Sequence, residues 1–185
     1  MRFREATRVD AMAIATLHAE SWRAFYRGAY RDEYLDGDVF EDRLRVWEER
    51  LSTPAPYQFV VLAEENDELI GFASAYGGHD ETWGSFLDNI HVRPKHQRRG
   101  VGARLMAEVA AWCRANYADC GLYLWVLGLC AKIGLFQSSR SVFVQASISA
   151  RKPIAGESNH ALSASGGISK ARTSKIAPTR TRIPR

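Results

Sequence analysis

Leu87-Asp88-Asn89-Ile90-His91-Val92-Arg93-Pro94-Lys95-His96-Gln97-Arg98-Arg99-Gly100-Val101-Gly102-Ala103-Arg104-Leu105 is the stretch from which the fold is read. It begins in a strand predicted over Ser85 to Val92, where apolar Leu87, Ile90 and Val92 are spaced by three and then two. Strict alternation is broken once, as one extra residue in a β-bulge would break it. It ends in an amphipathic helix running to about Asn116, because Val101, Leu105, Val109 and Trp112 recur at four, four and three residues. The loop between them enters a helix N-terminus, where N–H groups without intrahelical acceptors meet the positive end of the helix dipole. Gly100 and Gly102 remove side chains that would collide with a pyrophosphate, and Arg98 and Arg99 add positive charge. Alone, a Gln-x-x-Gly-x-Gly string is a weak signal and more often a tight turn with solvated arginines; the strand before it and the helix after it supply the geometry that anion binding requires.

Upstream, Arg2 to Ala6 reads as a strand, and Thr7-Arg8-Val9-Asp10 has the form of a capping box. A helix follows, with Ile14, Leu17, Trp22 and Phe25 near helical spacing, ending near Gly28. Asp38 starts a second helix, in which Phe40, Leu44, Trp47 and Leu51 recur at four, three and four residues before Pro54 and Pro56 end it. Gln58 to Ala63 and Leu69 to Tyr76 form a hairpin through the acidic turn at Asn66 and Asp67. Downstream, Gly121 precedes a strand from Leu122 to Leu127, which a strand-helix-strand crossover makes parallel to Ser85–Val92. Beyond it the signals weaken, although Val142 to Ile148 has strand character.

The chain has 185 residues, 46% of them hydrophobic, and a net charge of +4. That charge is unevenly spread: residues 1–127 hold 15 Lys and Arg against 20 Asp and Glu, whereas residues 128–185 hold 10 against the single Glu157. Basicity therefore belongs to a Ser-rich tail, expected to be disordered from about residue 156. Nucleic acid is not an expected partner except through non-specific, salt-sensitive contact by that tail. No apolar run reaches the roughly 18 residues of a membrane span, and no secretory leader is read, so a soluble cytoplasmic protein without a membrane partner is expected. Cys113, Cys120 and Cys130 match neither a disulfide framework nor a zinc pattern, and no metal is expected.

Leu87–Pro94 followed by Gln97–Leu105 resembles the cofactor-binding signature of the GNAT superfamily of acyl-CoA-dependent N-acyltransferases. Ser21-Trp22-Arg23 through Tyr26-Arg27-Gly28, and Tyr34-Leu35-Asp36, are similar to the amino end of bacterial members. The resemblance covers about residues 1–127, taken as an acyl-CoA-binding core, with 128–185 as an atypical tail. It implies an α/β (α+β) fold with a mixed central sheet flanked by helices, and an enzyme transferring an acetyl group from acetyl-CoA to a small-molecule or peptide amine. The backbone of Ile90, His91 and Val92 would pair with the pantetheine arm. Gln97, Arg98, Arg99, Gly100, Val101, Gly102 and Ala103 would surround the pyrophosphate, with amides from Arg98 to Ala103 holding it. The strands 85–92 and 121–127 would splay apart to admit the arm.

After Leu127 the family usually continues with an Asn, a helix containing a Phe-Tyr pair, and closing strands. Gly128-Leu129-Cys130-Ala131-Lys132-Ile133-Gly134-Leu135-Phe136-Gln137 supplies no counterpart to the tyrosine that often protonates the departing thiolate. The usual last helix and strands are expected to be missing or replaced, with a reading-frame change near Gly128 as one origin. Turnover would then be impaired, and a non-enzymatic acyl-CoA-binding remnant is the alternative. An uncovered sheet edge would favour association, for instance as a homodimer.

No catalytic residue is assigned from the sequence. The candidate is Asp88, whose carboxylate would relay a proton through water, set against a hydrogen-bonding role at the strand edge. His79, Asp80 and Glu81 would border the acceptor site or simply be solvated. His91 suits packing or a hydrogen bond better than base catalysis, and Trp22 and Tyr26 fit the acceptor wall and the core equally well.

Overall fold

The computed structural model describes residues 1–117, 121–128 and 140–146. The expectations for the basic tail, and for Cys120 and Cys130, lie outside the described residues. The elements are β1 (Arg2–Glu5), α1 (Ala11–Phe25), α2 (Asp32–Asp36), α3 (Val39–Ser52), β2 (Gln58–Glu65), β3 (Glu68–Asp80), β4 (Gly84–Val92), α4 (Val101–Asn116), β5 (Leu122–Gly128) and β6 (Arg140–Ala146). The strands form one sheet in sequence order, β1-β2-β3-β4-β5-β6. Every pairing is antiparallel except β4 with β5, between which α4 makes the crossover, so the sheet is mixed as expected.

Both faces of the sheet are covered, and strand alternation sorts the side chains between them. In β2, Val60 and Leu62 face α1 and α3 with Ile14, Leu17, Trp47 and Phe72. Val61 and Ala63 face α4 with Ile70, Ala73, Leu105 and Val109. Two covered faces explain why Val60-Val61-Leu62-Ala63 is a continuous buried run. Gly71 makes the α4 side possible: a Cβ there would lie 2.9 Å from the His91 carbonyl oxygen and 3.2 Å from Leu105 Cδ1.

The start of α1 follows the capping box. The Thr7 N–H donates to Asp10 Oδ2 at 2.7 Å, and a 3-10 turn at Arg8–Asp10 leads into the helix. Arg4 clamps Asp10 and Glu64 together at 2.7 and 2.6 Å, and holds the Asp10 carboxyl down at about 2. The structure differs from the sequence reading at four places. α1 ends at Phe25 rather than near Gly28, and α2 was not foreseen. β3 continues past Tyr76 to Asp80, with Tyr117 laid so close over Gly77 that a Cβ would come within 1.9 Å of its ring. β6, expected two residues later, pairs with β5 along all seven residues from Leu122 to Gly128, so β6 and not β5 is the sheet edge.

Candidate functional site

β4 and β5 pair in parallel only at Ser85–Leu122, Phe86–Tyr123 and Leu87–Leu124. Beyond Leu87, β4 runs on to Val92 paired, among the described residues, only with β3. The cause lies in the register of β3 with β4: Ser74 faces Asn89 and Ala75 faces Leu87, which leaves Asp88 as an extra residue. This is the bulge that the broken alternation announced, and it bends β4 away from β5 where their pairing stops. Peptide groups alternate in direction along an antiparallel pair, so half of those in Asn89–Val92 point from β3 toward the side that β5 has left.

The bulge also decides which side chains share a face. Ile90 and Val92 pack on the α4 side with Leu87. His91 lies against Phe72 and His18 on the opposite side. Asp88 reaches that side as well, where Arg50 of α3 donates to its Oδ2 at 2.6 Å and Asn89 Nδ2 donates to the same oxygen at 2.5 Å. The carboxylate is therefore committed to two donors.

The loop after β4 is held at several points. Arg93 donates from Nε to the Leu69 carbonyl at 2.8 Å and from Nη1 to Glu20, which ties it to β3 and α1. Gln97 Nε2 donates to the Val92 carbonyl at 3.0 Å, so its side chain braces the loop. Arg98 and Gly100 are both left-handed, with φ of 59° and 81°. The first backbone bond of α4 is Arg104 N–H to Gly100 O at 3.0 Å. The amides of Val101, Gly102 and Ala103 precede it and have no helical acceptor. The first turn carries no acidic side chain and Gly100 provides no side-chain cap, so these amides are presented at the positive end of a 16-residue helix.

The two glycines differ in their surroundings within the chain. Gly100 is needed for its positive φ, and a Cβ on it would meet nothing within 4 Å. A Cβ on Gly102 would make ordinary contact with Val92 Cγ2 at 3.8 Å. The arginines divide as well. Arg99 donates to Glu65 at 2.9 and 3.0 Å and to His96 Nδ1 at 2.9 Å, whereas Arg98 is exposed and makes no ion pair among the described residues.

On the α1 and α3 side lies a buried pair of neutral histidines. Trp47 Nε1 donates to His18 Nδ1 at 3.0 Å, and burial, together with nearby His91, Arg43 and Arg50, brings His18 down to about 2. His91 shares a hydrogen bond with Ser21 Oγ at 2.9 Å, and burial lowers it to about 4. Trp22 stacks on Tyr26 at 5.1 Å and approaches Tyr30 at 5.0 Å, so these residues form an aromatic wall beside the histidines.

The polar run His79-Asp80-Glu81 separates by role. Asp80 Oδ1 accepts the Thr82 and Trp83 N–H groups at 2.8 Å and builds the turn between β3 and β4. His79 Nδ1 lies 2.5 Å from the hydroxyl of Tyr123, a buried residue whose pKa desolvation raises. Tyr123 is one residue short of the last parallel pair. The sequence reading missed it, because only the strand pairing brings it beside the bulge.

The family model described as Acetyltransferase (GNAT) family matches residues 15–131. The L-amino acid N-acyltransferase MnaT of Escherichia coli (strain K12) is 29% identical over 137 residues, covering 70% of this chain and 70% of that protein. The uncharacterized N-acetyltransferase YhfO of Bacillus subtilis (strain 168) is 30% identical over 128 residues, covering 65% of this chain and 75% of its own. The crystal structure of the PaiA N-acetyltransferase from Thermoplasma acidophilum in complex with coenzyme A has the same fold, with a TM-score of 0.59 at 18% identity over 69% of this chain and 80% of that one.

Proposed function

Because the chain belongs to the acetyltransferase (GNAT) family, we propose that it transfers an acetyl group from acetyl-CoA to the nitrogen of a small-molecule or peptide amine. The observation that carries this reading is the parting of β4 from β5 at the Asp88 bulge, in line with the unpaired amides at the start of α4. Peptide groups of Ile90, His91 and Val92 on the open edge would hydrogen-bond the amides of the pantetheine arm. The amides from Arg98 to Ala103 would hold the pyrophosphate, with Arg98 as the unengaged cation and with Gln97 and Arg99 fixing the shape of the loop. Acetyl-CoA supplies an activated thioester carbonyl, and the chain's part is to position it and to manage protons.

An attacking amine must be neutral, and its carbonyl target gains negative charge that an N–H group on the bulged strand would stabilise. Tyr123 is protonated at neutral pH, as a tyrosine ordinarily is, desolvation raises its pKa further, and His79 orients its hydroxyl. In this reading Tyr123 is the group that protonates the departing thiolate, in place of the tyrosine missing after Leu127. Asp88 serves as a brace between α3 and β4 rather than as the base. The cytoplasmic location expected from the sequence belongs to this reading too. A homodimer formed through the sheet edge on this side would use β6 rather than β5.

Thiol release from acetyl-CoA, measured over a panel of amines that includes L-amino acids and short peptides, tests the proposal. Amine-dependent release with stoichiometric N-acetyl product is expected. Saturable binding of acetyl-CoA without turnover on any amine would instead favour the non-enzymatic acyl-CoA-binding remnant.

A further inference from the structure

We propose that Arg43 is the anchor for a carboxylate on the acceptor, so that the preferred amines are short peptides, about a dipeptide long, with a free carboxyl group. The inference rests on the acetyltransferase reading above and adds the substrate class of that same site. Arg43, Trp47 and Arg50 fall on one stripe of α3, at helical spacings of four and three residues. At one end of the stripe Arg50 meets Asp88 at the bulge, where the strands part. In the middle Trp47 bonds His18, which lies 4.7 Å from His91 of the parted strand. At the other end the Arg43 guanidinium lies 4.5 Å from the centre of the Trp22 ring, within the aromatic wall.

Arg43 differs from other arginines on and around these helices in one respect. Arg23 donates to the Leu35 carbonyl, Arg27 to Asp32 and Asp36, Arg45 to Asp42 and Arg50 to Asp88. Arg43 has no ion pair or hydrogen bond among the described residues, and its Nε is buried without a partner. A half-buried guanidinium with an orphaned donor is poorly satisfied, and stacking on an aromatic ring replaces only part of what hydration gave it. Lying against Trp22, it keeps coplanar N–H groups directed to its edge, the arrangement that fits a planar carboxylate through two parallel hydrogen bonds. The neutral histidines place no competing cation between Arg43 and the parted strands. Arg43 and Arg50 are seven residues apart, about 10 Å along the helix, so an acceptor that presents its nitrogen near the bulge and its acid group to Arg43 carries the two several bonds apart, as a dipeptide does.

The test compares glycyl-L-leucine, glycyl-L-phenylalanine and glycyl-L-glutamine with their C-terminal amides as acceptors, in the wild-type chain and in Arg43→Gln and Arg43→Lys. A charged hydrogen bond of this kind corresponds to about 10- to 100-fold in kcat/KM, so the acids should exceed their amides by that factor in the wild-type chain. Arg43→Gln should bring the ratio of acid to amide close to one through KM for the acid, and Arg43→Lys should restore part of it. The ratio is the reading, and retained acetyl-CoA affinity shows that each variant is folded. Amides used as well as acids by the wild-type chain, or a ratio untouched by Arg43→Gln, would overturn the inference while leaving the acetyltransferase reading intact. Should no amine be turned over, calorimetric titration of the coenzyme A-loaded chain with N-acetylglycyl-L-phenylalanine and with its amide decides. Preference for the acid that is lost in Arg43→Gln supports the anchor, and equal binding of the two overturns it. Failure to bind coenzyme A at all would overturn both readings together.

Discussion

Arg50 Nη1 donates to Asp88 Oδ2 at 2.6 Å, which fastens α3 to the one residue by which β4 outruns β3. The same guanidinium lies over Trp47 and Tyr76, at 5.3 and 5.8 Å from their ring centres, so the bulge is held by charge and by packing. Both partners are partly shielded from water, with side chains 28% and 21% exposed, which places the pair between the negligible surface ion pair and the costly buried one. Asp88→Asn and Arg50→Gln should each lower stability by about 1 kcal/mol, with the double variant less destabilised than the sum of the singles. Urea denaturation of the four chains measures this. A loss of 100-fold or more in turnover for Asp88→Asn, with stability unchanged, would mean that Asp88 is the general base instead.

The two arginines of the loop should separate by what they affect. Arg98→Ala removes a screened charge from the pyrophosphate site and should weaken coenzyme A about tenfold at low salt, with the effect shrinking as salt is raised. Arg99→Ala frees Glu65 and His96, so it should lower the melting temperature more than Arg98→Ala does, and weaken coenzyme A less. Calorimetric titrations at two salt concentrations, beside thermal unfolding, distinguish the pair. Equal effects on affinity would show that Arg99 leaves Glu65 when the cofactor binds.

Tyr123→Phe keeps the ring in its strand and removes the hydroxyl beside His79. Losing a general acid costs typically 10² to 10⁴ in rate, and a drop toward the low end of that range is expected because water can substitute. Coenzyme A affinity should hold within about threefold. Turnover equal to that of the wild-type chain, measured by thiol release, would show that the thiolate leaves unassisted or takes its proton elsewhere.

Burial of neutral His18 and His91 makes stability fall with acid. Their folded values of about 2 and about 4 lie below the 6.5 or so of an unfolded histidine, so the unfolded chain binds more protons through the interval between. The contribution is complete above pH 6.5 and declines as pH falls toward 4 for His91 and toward 2 for His18, at up to about 1.4 kcal/mol per histidine for each pH unit. Between pH 7 and pH 5 a loss of roughly 2 to 4 kcal/mol is expected. Denaturation curves at the two pH values check it, and the double variant His18→Phe with His91→Gln should flatten the dependence.

Much of this architecture was legible because it is written locally. The period-two and period-3.6 patterns gave β2, β3, β4, α3 and α4, and the single break between Leu87 and Ile90 located the bulge. α2 escaped because Asp32–Asp36 buries only Leu35 and is too short to show a period. The extension of β3 escaped because Gly77-Gly78 reads as a turn, whereas Gly77 is there to let Tyr117 pass. What sequence could not give are partners far apart in the chain. Glu65 takes Arg99 across 34 residues, so a cation that looked available for phosphate is already engaged. His79 meets Tyr123 across 44 residues, and Arg43 is distinguished by a buried Nε with no hydrogen-bond partner among the described residues, which no motif records.

Gly102 offers the most direct test of the central claim, that the start of α4 holds the pyrophosphate of acetyl-CoA. Its backbone is ordinary helix, a Cβ has room, and a carboxylate in the first helical turn favours the helix, so Gly102→Glu should fold as the wild-type chain does. That carboxylate would sit against the pyrophosphate, and juxtaposed like charges cost several kcal/mol. Calorimetric titration with acetyl-CoA should show saturable one-to-one binding to the wild-type chain, near-normal binding to Gly102→Ala, and at least about a 100-fold loss in Gly102→Glu. Unchanged affinity in a folded Gly102→Glu chain, or no binding by the wild-type chain, would contradict the account.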